Sequence, residues 1–220
     1  MHGHARIGAV VLAAGQSRRM GSPKALLPID GQPMLQRVLE TLRRANHIWP
    51  IVAVTGHEPH CLRPMIHACG AIEAHNEAFE TGGMISSVQC GLSEIRDAID
   101  ASFIVLVDQP MVRPLTLSTL ASAWRARRPT ILLPSHNRRH GHPIIISARA
   151  IGQILDLPVD ATLKTFTARH VSSTLDIEVD DSAILEDIDT PEDYARAVQQ
   201  QRDDVELKDP SCTNETTQAV

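Results

Sequence analysis

"VVLAAGQSRRMGSPKALLPIDGQP", residues 10–33, opens on apolar residues and then turns abruptly to glycine, serine, two arginines, a second glycine and a lysine. The apolar run begins at Ile7, and residues 7–13 carry no charged or polar side chain. Such a run reads as a strand covered on both faces, the kind found in parallel sheets. Ligands of parallel sheets bind beyond the carboxyl ends of the strands, so the loop after Ala13 falls where chemistry is expected. Gly15 and Gly21 allow a backbone to come close to an anion, and Arg18, Arg19 and Lys24 bring positive charge within seven residues. A triphosphate needs both. The glycine spacing is neither GxGxxG nor GxxxxGK[ST].

Working outward, the chain alternates between helical and extended patterns. Residues 33–44 put Met34, Leu35, Val38, Leu39 and Leu42 on one stripe, with Pro33 in a first-turn position. Residues 48–55 read as a strand ended by Gly56, and residues 83–95 as a helix with Val88, Leu92 and Ile95 inward. "SFIVLV", residues 102–107, is another buried strand, with Asp108 at its carboxyl end. A helix over 115–127, strands over 131–134 and 143–147, and a half-exposed alternation at Leu175, Ile177 and Val179 follow. The last helix is expected over 190–201, with Thr190 as N-cap, Pro191 at N1, and Glu192 and Asp193 at the positive end. This order predicts an α/β fold, a single three-layer Rossmann-like domain with a mostly parallel sheet and helices on both faces. The domain is expected over 1–200. Residues 201–220, with five acids against two bases, are expected to form a polar, disordered tail.

Composition narrows the partners. Of 220 residues, 43% are hydrophobic but only 3% aromatic, so the core must be aliphatic and stacking platforms for single-stranded nucleic acid are disfavoured. A net charge of −5 with no basic face argues against duplex nucleic acid. Cys61, Cys69, Cys90 and Cys212 make no CxxC pair, and the run from Ile7 to Ala14 is too short for a secretory leader or a membrane span. The expectation is a cytoplasmic protein with reduced thiols and no membrane partner.

Several further segments join the first loop: "HNEAFETGGMISSVQCGL", "VLVDQP", "GHPIIIS" and "DIDTPEDY". With "LAAGQSRRMGSPKALLPIDGQPML" they resemble, in order and over residues 7–198, the MobA-like NTP transferase family. Within it they are most similar to the cytidylyltransferases of the molybdenum cofactor. The resemblance implies the nucleotide-diphospho-sugar transferase type of fold, and transfer of CMP from CTP to the phosphate of molybdopterin or its molybdenum-loaded form, with release of pyrophosphate. It also implies Mg²⁺, and a recipient molybdoenzyme or its chaperone as a partner. Leu12, Ala13, Ala14 and Gly15 would contact the nucleotide, and Arg19 and Lys24 would hold the phosphates, Lys24 at the α-phosphorus. Arg18 matches a variable position and takes no role. Asp108 and Asp189 would hold the metal, with Asp187 ranked third, and Lys24, Arg19 and Asp108 form the catalytic set. Thr55, Gly56, Asn76, Ser87 and His142 would line the nucleotide and acceptor cleft, with Gly82 and Gly83 beside them. Ala14 replaces a glycine of the guanylyl relatives, which tilts the reading toward CTP over GTP.

Each residue also has a plainer reading. Asp108, before Pro110, suits a turn, Asp189 suits a helix cap, and His142 in "RRHGHP" suits a surface hairpin. Asn76, Gly82, Gly83 and Ser87 suit a loop and a cap. Alternatives stay open: GTP with the same pterin, a sugar, lipid or other small phosphate as acceptor, or a non-catalytic nucleotide-binding protein that delivers cofactor. His57, His60, Cys61, His67 and Cys69 crowd one segment, but they match no structural zinc spacing and Pro59 and Pro64 interrupt them. That segment is expected to be a surface loop and short helix.

Overall fold

The computed structural model describes residues 5–16, 20, 23–45 and 47–208, with side chains as far as residue 203. Arg18, Arg19, Gly21 and residues 209–220 of the expected tail lie outside the described residues.

The chain runs β1 (Ile7–Ala13), a small ladder of β2 (Pro28–Ile29) and β3 (Gln32–Pro33), α1 (Met34–Arg44), β4 (Ile48–Thr55), α2 (Pro59–Ala68), β5 (Ile72–His75) and α3 (Gly83–Ile95). It continues through β6 (Ala101–Leu106), α4 (Pro114–Arg127), β7 (Ile131–His136), β8 (Arg139–His140), β9 (Ile144–Ser147), α5 (Ala148–Leu155), α6 (Leu163–Ala168), β10 (Thr174–Glu178) and α7 (Pro191–Lys208). The main sheet has the order β10-β7-β9-β6-β1-β4-β5, with β8 as a short hairpin partner of β7. β1 pairs in parallel with β4 and β6, β4 with β5, and β7 with β10. β9 is antiparallel to both neighbours, so the sheet is mostly but not wholly parallel.

β1 shows why its sequence is apolar throughout. Ile7, Ala9, Val11 and Ala13 face one core, with Leu35, Leu39 and Leu42 of α1, Leu62 of α2 and Leu120 of α4. Val10 and Leu12 face the other, with Val88 and Leu92 of α3, Ile151 of α5 and Phe166 of α6. A strand buried on both sides has no position for a polar residue. Gly91 lets α3 ride close on the sheet, because a Cβ there would come within 2.4 Å of Val10 and 2.7 Å of Val54. The core is aliphatic apart from Phe103, Trp124 and Phe166.

α7 packs through Ala197 against Ile29, Met34 and Ile188. It runs on to Lys208, past the end expected at Gln201, so residues 202–208 of the expected tail are helical. Side-chain pairs one turn apart, such as Gln199 Nε2 donating to Asp203 Oδ1 at 2.8 Å, support a polar helix that apolar periodicity does not reveal. No helix among the described residues is long and apolar enough to cross a membrane.

Candidate active site

Three chain segments distant in sequence converge at the carboxyl ends of β1 and β6. Lys24 opens a 3-10 turn after the first loop, Asp108 lies two residues past β6, and Asp189 lies two residues before α7. The Lys24 Nζ donates to Asp108 Oδ2 at 2.8 Å and to Asp189 Oδ1 at 2.7 Å. The two carboxylates therefore share one ammonium. Burial alone would pull the Lys24 pKa down, but the pair of carboxylates outweighs burial and holds it above its ordinary value.

The plainer readings of the two acids are answered locally. The cap of α7 is made by other residues: Asp193 N donates to Thr190 Oγ1 at 3.2 Å, and Asp193 Oδ2 accepts from Thr190 N at 2.9 Å and Asp189 N at 3.2 Å. This reciprocal cap leaves the Asp189 carboxylate to point at Lys24. Asp108 likewise spends Oδ2 on Lys24 and not on a turn. Its Oδ1 is buried without a hydrogen-bond partner, and so are Gln109 Oε1 and His142 Nδ1.

Asp187 sits on the same segment as Asp189. Burial raises its pKa, the negative charges of Asp108 and Asp189 add to this, and the hydrogen bond from Gln109 and the charge of His142 oppose it. The His142 ring goes the other way. Burial lowers its pKa, although a backbone contact at Ile104 and the nearby Asp187 and Asp108 favour its charged form. Burial thus favours the neutral imidazole of His142. His142 is held in its buried place because Gly141 passes close under Ile184: a Cβ on Gly141 would lie 2.1 Å from the Ile184 carbonyl oxygen.

The loops at the carboxyl ends of the neighbouring strands touch one another. A Cβ on Gly56 would lie 2.7 Å from the Ala14 carbonyl oxygen and 2.6 Å from Phe79, so the loops after β1 and β4 meet backbone to backbone. Gln16 Nε2 donates to Glu80 Oε1 at 2.8 Å across the same seam. Leu12 and Ala13 are the last residues of β1, and Ala14 and Gly15 begin the loop. A Cβ on Gly15 would meet nothing within 4 Å among the described residues, so packing against them does not explain this glycine.

Two expected cleft residues are turned to other work. Thr55 is fully buried, and its hydroxyl donates to Glu73 Oε1 at 3.1 Å, inside a network completed by Arg63 Nε on Glu73 Oε2 at 2.5 Å. Its side chain faces α2 and β5, not the cleft. Asn76 donates both amide hydrogens, to Ser86 Oγ at 2.9 Å and Ser87 Oγ at 3.0 Å, and its Oδ1 accepts from Ala78 N at 3.0 Å. Asn76 and Ser87 fasten the 76–82 loop to the start of α3, where Gly83 takes φ +60°. In the 57–69 segment, Cys61 is exposed on α2 and Cys69 is buried at its end, and no three potential metal ligands gather anywhere among the described residues.

Sequence reasoning named Thr190 as the N-cap but missed Asp193 as its reciprocal partner, and it missed Gln109 and the Gln16–Glu80 tie. No periodicity marks these contacts. Gln109 stood inside the "DQP" match but drew no attention beside the aspartate.

The MobA-like NTP transferase domain model matches residues 9–174. The chain belongs to the MobA-like NTP transferase family. Among curated relatives, a molybdenum cofactor cytidylyltransferase of Escherichia coli is 26% identical over 192 residues, 87% of this chain and 95% of that protein. A molybdenum cofactor guanylyltransferase of Xanthomonas euvesicatoria is 33% identical over 129 residues, 59% of this chain and 55% of that protein. Among solved structures, Rv0371c of Mycobacterium tuberculosis superposes with a TM-score of 0.78 at 27% identity, over 89% of this chain and 98% of that one. Rv0371c has also been solved as a manganese complex, which superposes with a TM-score of 0.73 at 25% identity over 88% of this chain and 98% of that one. As a member of this family the chain is a nucleotidyltransferase, related to the cytidylyl and guanylyl transferases of molybdenum cofactor biosynthesis.

Proposed function

We propose that this protein transfers CMP from CTP to the terminal phosphate of molybdopterin or the molybdenum cofactor, releasing pyrophosphate. The observation that carries the reading is the Lys24 ammonium held between Asp108 and Asp189 at the open end of the sheet. An ammonium between two carboxylates occupies the electrostatic position of a cation. The donor set fits a divalent ion of the Mg²⁺ or Mn²⁺ kind. Two carboxylates, with the Asp108 Oδ1 buried and without a hydrogen-bond partner, would offer hard oxygen ligands, and nucleotide phosphates and water would complete the shell. When bound, the metal neutralises phosphate charge as it builds during displacement.

The chain's own groups supply the rest. A phosphate oxygen of the acceptor attacks the α-phosphorus, the bond to the bridging oxygen of the β-phosphate breaks, and pyrophosphate leaves with that electron pair. Lys24 would hold the α-phosphate with its ammonium, and Asp108 and Asp189 would hold the metal. The backbone at Ala13, Ala14 and the open Gly15 receives the nucleotide, and Arg19 joins Lys24 on the phosphates by its match to the family signature. The acceptor phosphate is already ionised, so no strong base is required. A neutral His142 suits orienting the acceptor better than clamping an anion. Asn76 and Ser87 shape the loop around the base.

Guanylyl transfer to the same pterin is the second reading, favoured by the higher identity to the guanylyltransferase over a shorter span. Pyrophosphate release with each of the four NTPs, with and without molybdopterin, separates the two. CTP-dependent release that requires molybdopterin is expected. Release with GTP alone supports the second reading, and none with any NTP defeats both.

A further inference from the structure

Gln109 follows Asp108 and is 5% exposed. Its Nε2 donates to the Ile184 carbonyl at 3.2 Å and to Asp187 Oδ1 at 2.8 Å. Two backbone bonds fasten the same stretch: the Ile184 carbonyl also accepts from His142 N at 2.9 Å, and Ile188 N donates to the Asp108 carbonyl at 2.9 Å. The 184–189 stretch runs from the end of a 3-10 turn (Ser182–Leu185) toward α7, with Ile184 and Ile188 as its buried apolar anchors. It must bring Asp187 and Asp189 toward Asp108 against like-charge repulsion. An uncharged double donor suits that task. A lysine or arginine at 109 would neutralise the carboxylates a cation needs, and a glutamate would add a fourth.

We propose that Gln109 is a positioning residue for the metal-binding pair: it holds the 184–187 stretch, with Asp187 as its anchor and not as a ligand, and so fixes Asp189 in register with Asp108. The inference rests on reading Asp108 and Asp189 as the metal ligands. It gives the buried contacts of Gln109 with Asp187 and the Ile184 carbonyl a purpose that core packing does not require, since one buried apolar side chain would fill the same space.

The test is Mn²⁺ binding, followed by electron paramagnetic resonance on the full chain with a non-hydrolysable CTP analogue. Melting temperature and the metal dependence of turnover are measured in parallel. Gln109→Met, which keeps the volume and loses the donors, is expected to weaken Mn²⁺ binding about tenfold, the scale of a lost outer contact to a metal site. Raised metal concentration should restore most of the turnover. Asp187→Asn keeps an oxygen acceptor for Gln109 and should bind Mn²⁺ as the wild type does. Should Gln109→Met not fold, Asp187→Leu removes the same hydrogen bond from the other side and should show the same loss. Wild-type Mn²⁺ affinity in Gln109→Met, with only a lower melting temperature, would overturn the inference alone. So would loss of binding in Asp187→Asn as severe as in Asp108→Asn. Absence of Mn²⁺ binding by the wild-type chain would overturn the metal reading and this inference with it.

Discussion

Asp189 lies 165 residues along the chain from Lys24, yet its Oδ1 is 2.7 Å from the Lys24 Nζ. The same ammonium reaches Asp108, so one lysine joins the first loop, the end of β6 and the start of α7. A protein does not spend a half-buried lysine on two carboxylates at the mouth of a cleft for stability alone, because partly exposed ion pairs contribute little. One ammonium offsets only half the charge of the two carboxylates, so the group keeps a net negative charge.

Lys24→Met should therefore do two separable things. Turnover is expected to vanish. Stability should fall by about 1–3 kcal/mol, because two carboxylates are left facing each other, and Mn²⁺ should restore more of the melting temperature in the variant than it adds to the wild type. Calorimetry with and without Mn²⁺ reads both effects. Wild-type turnover in the variant would remove Lys24 from the site.

Gly141→Ala tests how tightly the histidine loop must pass beneath Ile184. The added methyl would meet the Ile184 carbonyl oxygen at 2.1 Å, and backbone cannot yield as a flexible side chain can. A stability loss of about 1–3 kcal/mol is expected. Displacement of His142 and of the 184–189 stretch should lower turnover by about a hundredfold. Steady-state kinetics and denaturant unfolding, read side by side, check the pair.

Thr55→Val separates structure from binding. The threonine hydroxyl is committed to Glu73, so its loss should cost about 1–3 kcal/mol while the KM for nucleotide stays unchanged. A raised KM with unaltered stability would return Thr55 to the cleft.

His142 gives a pH signature with a definite sign. Burial lowers its pKa in the folded chain below the ordinary 6.5, so on acidification the unfolded chain takes up the proton first. Stability from this group is whole at neutral pH and falls as the pH drops below about 6.5 toward the lower folded value. Denaturant midpoints across that range should fall more steeply in the wild type than in His142→Asn. Parallel curves would contradict a buried neutral ring.

The sheet and the acids were legible in the sequence for different reasons. β1 announced itself because both faces are covered, which leaves an uninterrupted apolar run, and α3 because Val88, Leu92 and Ile95 fall on one side of a helix. Asp108 was marked by its place at a strand end. Asp189 was ambiguous, since an aspartate before a helix is the ordinary choice for a cap. Only the position of Asp193 against Thr190 shows that the cap is made elsewhere. Thr55 misled for a related reason: a strand end has two faces, and one sequence cannot say which one a side chain takes. β5 is short, and α6 is a six-residue helix with polar residues along much of its length, so their periodicity is faint. Gln109, Gly141 and Gln16 act through partners far away in the chain, and no local pattern records such partners.

The order in which these parts are made has its own consequence. Every strand of the sheet is complete by Glu178, before the second carboxylate has been translated. The strands can thus pair before the segment that carries Asp189 is added, while Val179, Ala183 and Ile184 still have to close one layer of the core. Catalytic competence would come as a late event, added to a scaffold already standing, when the segment leading into α7 docks beside Asp108.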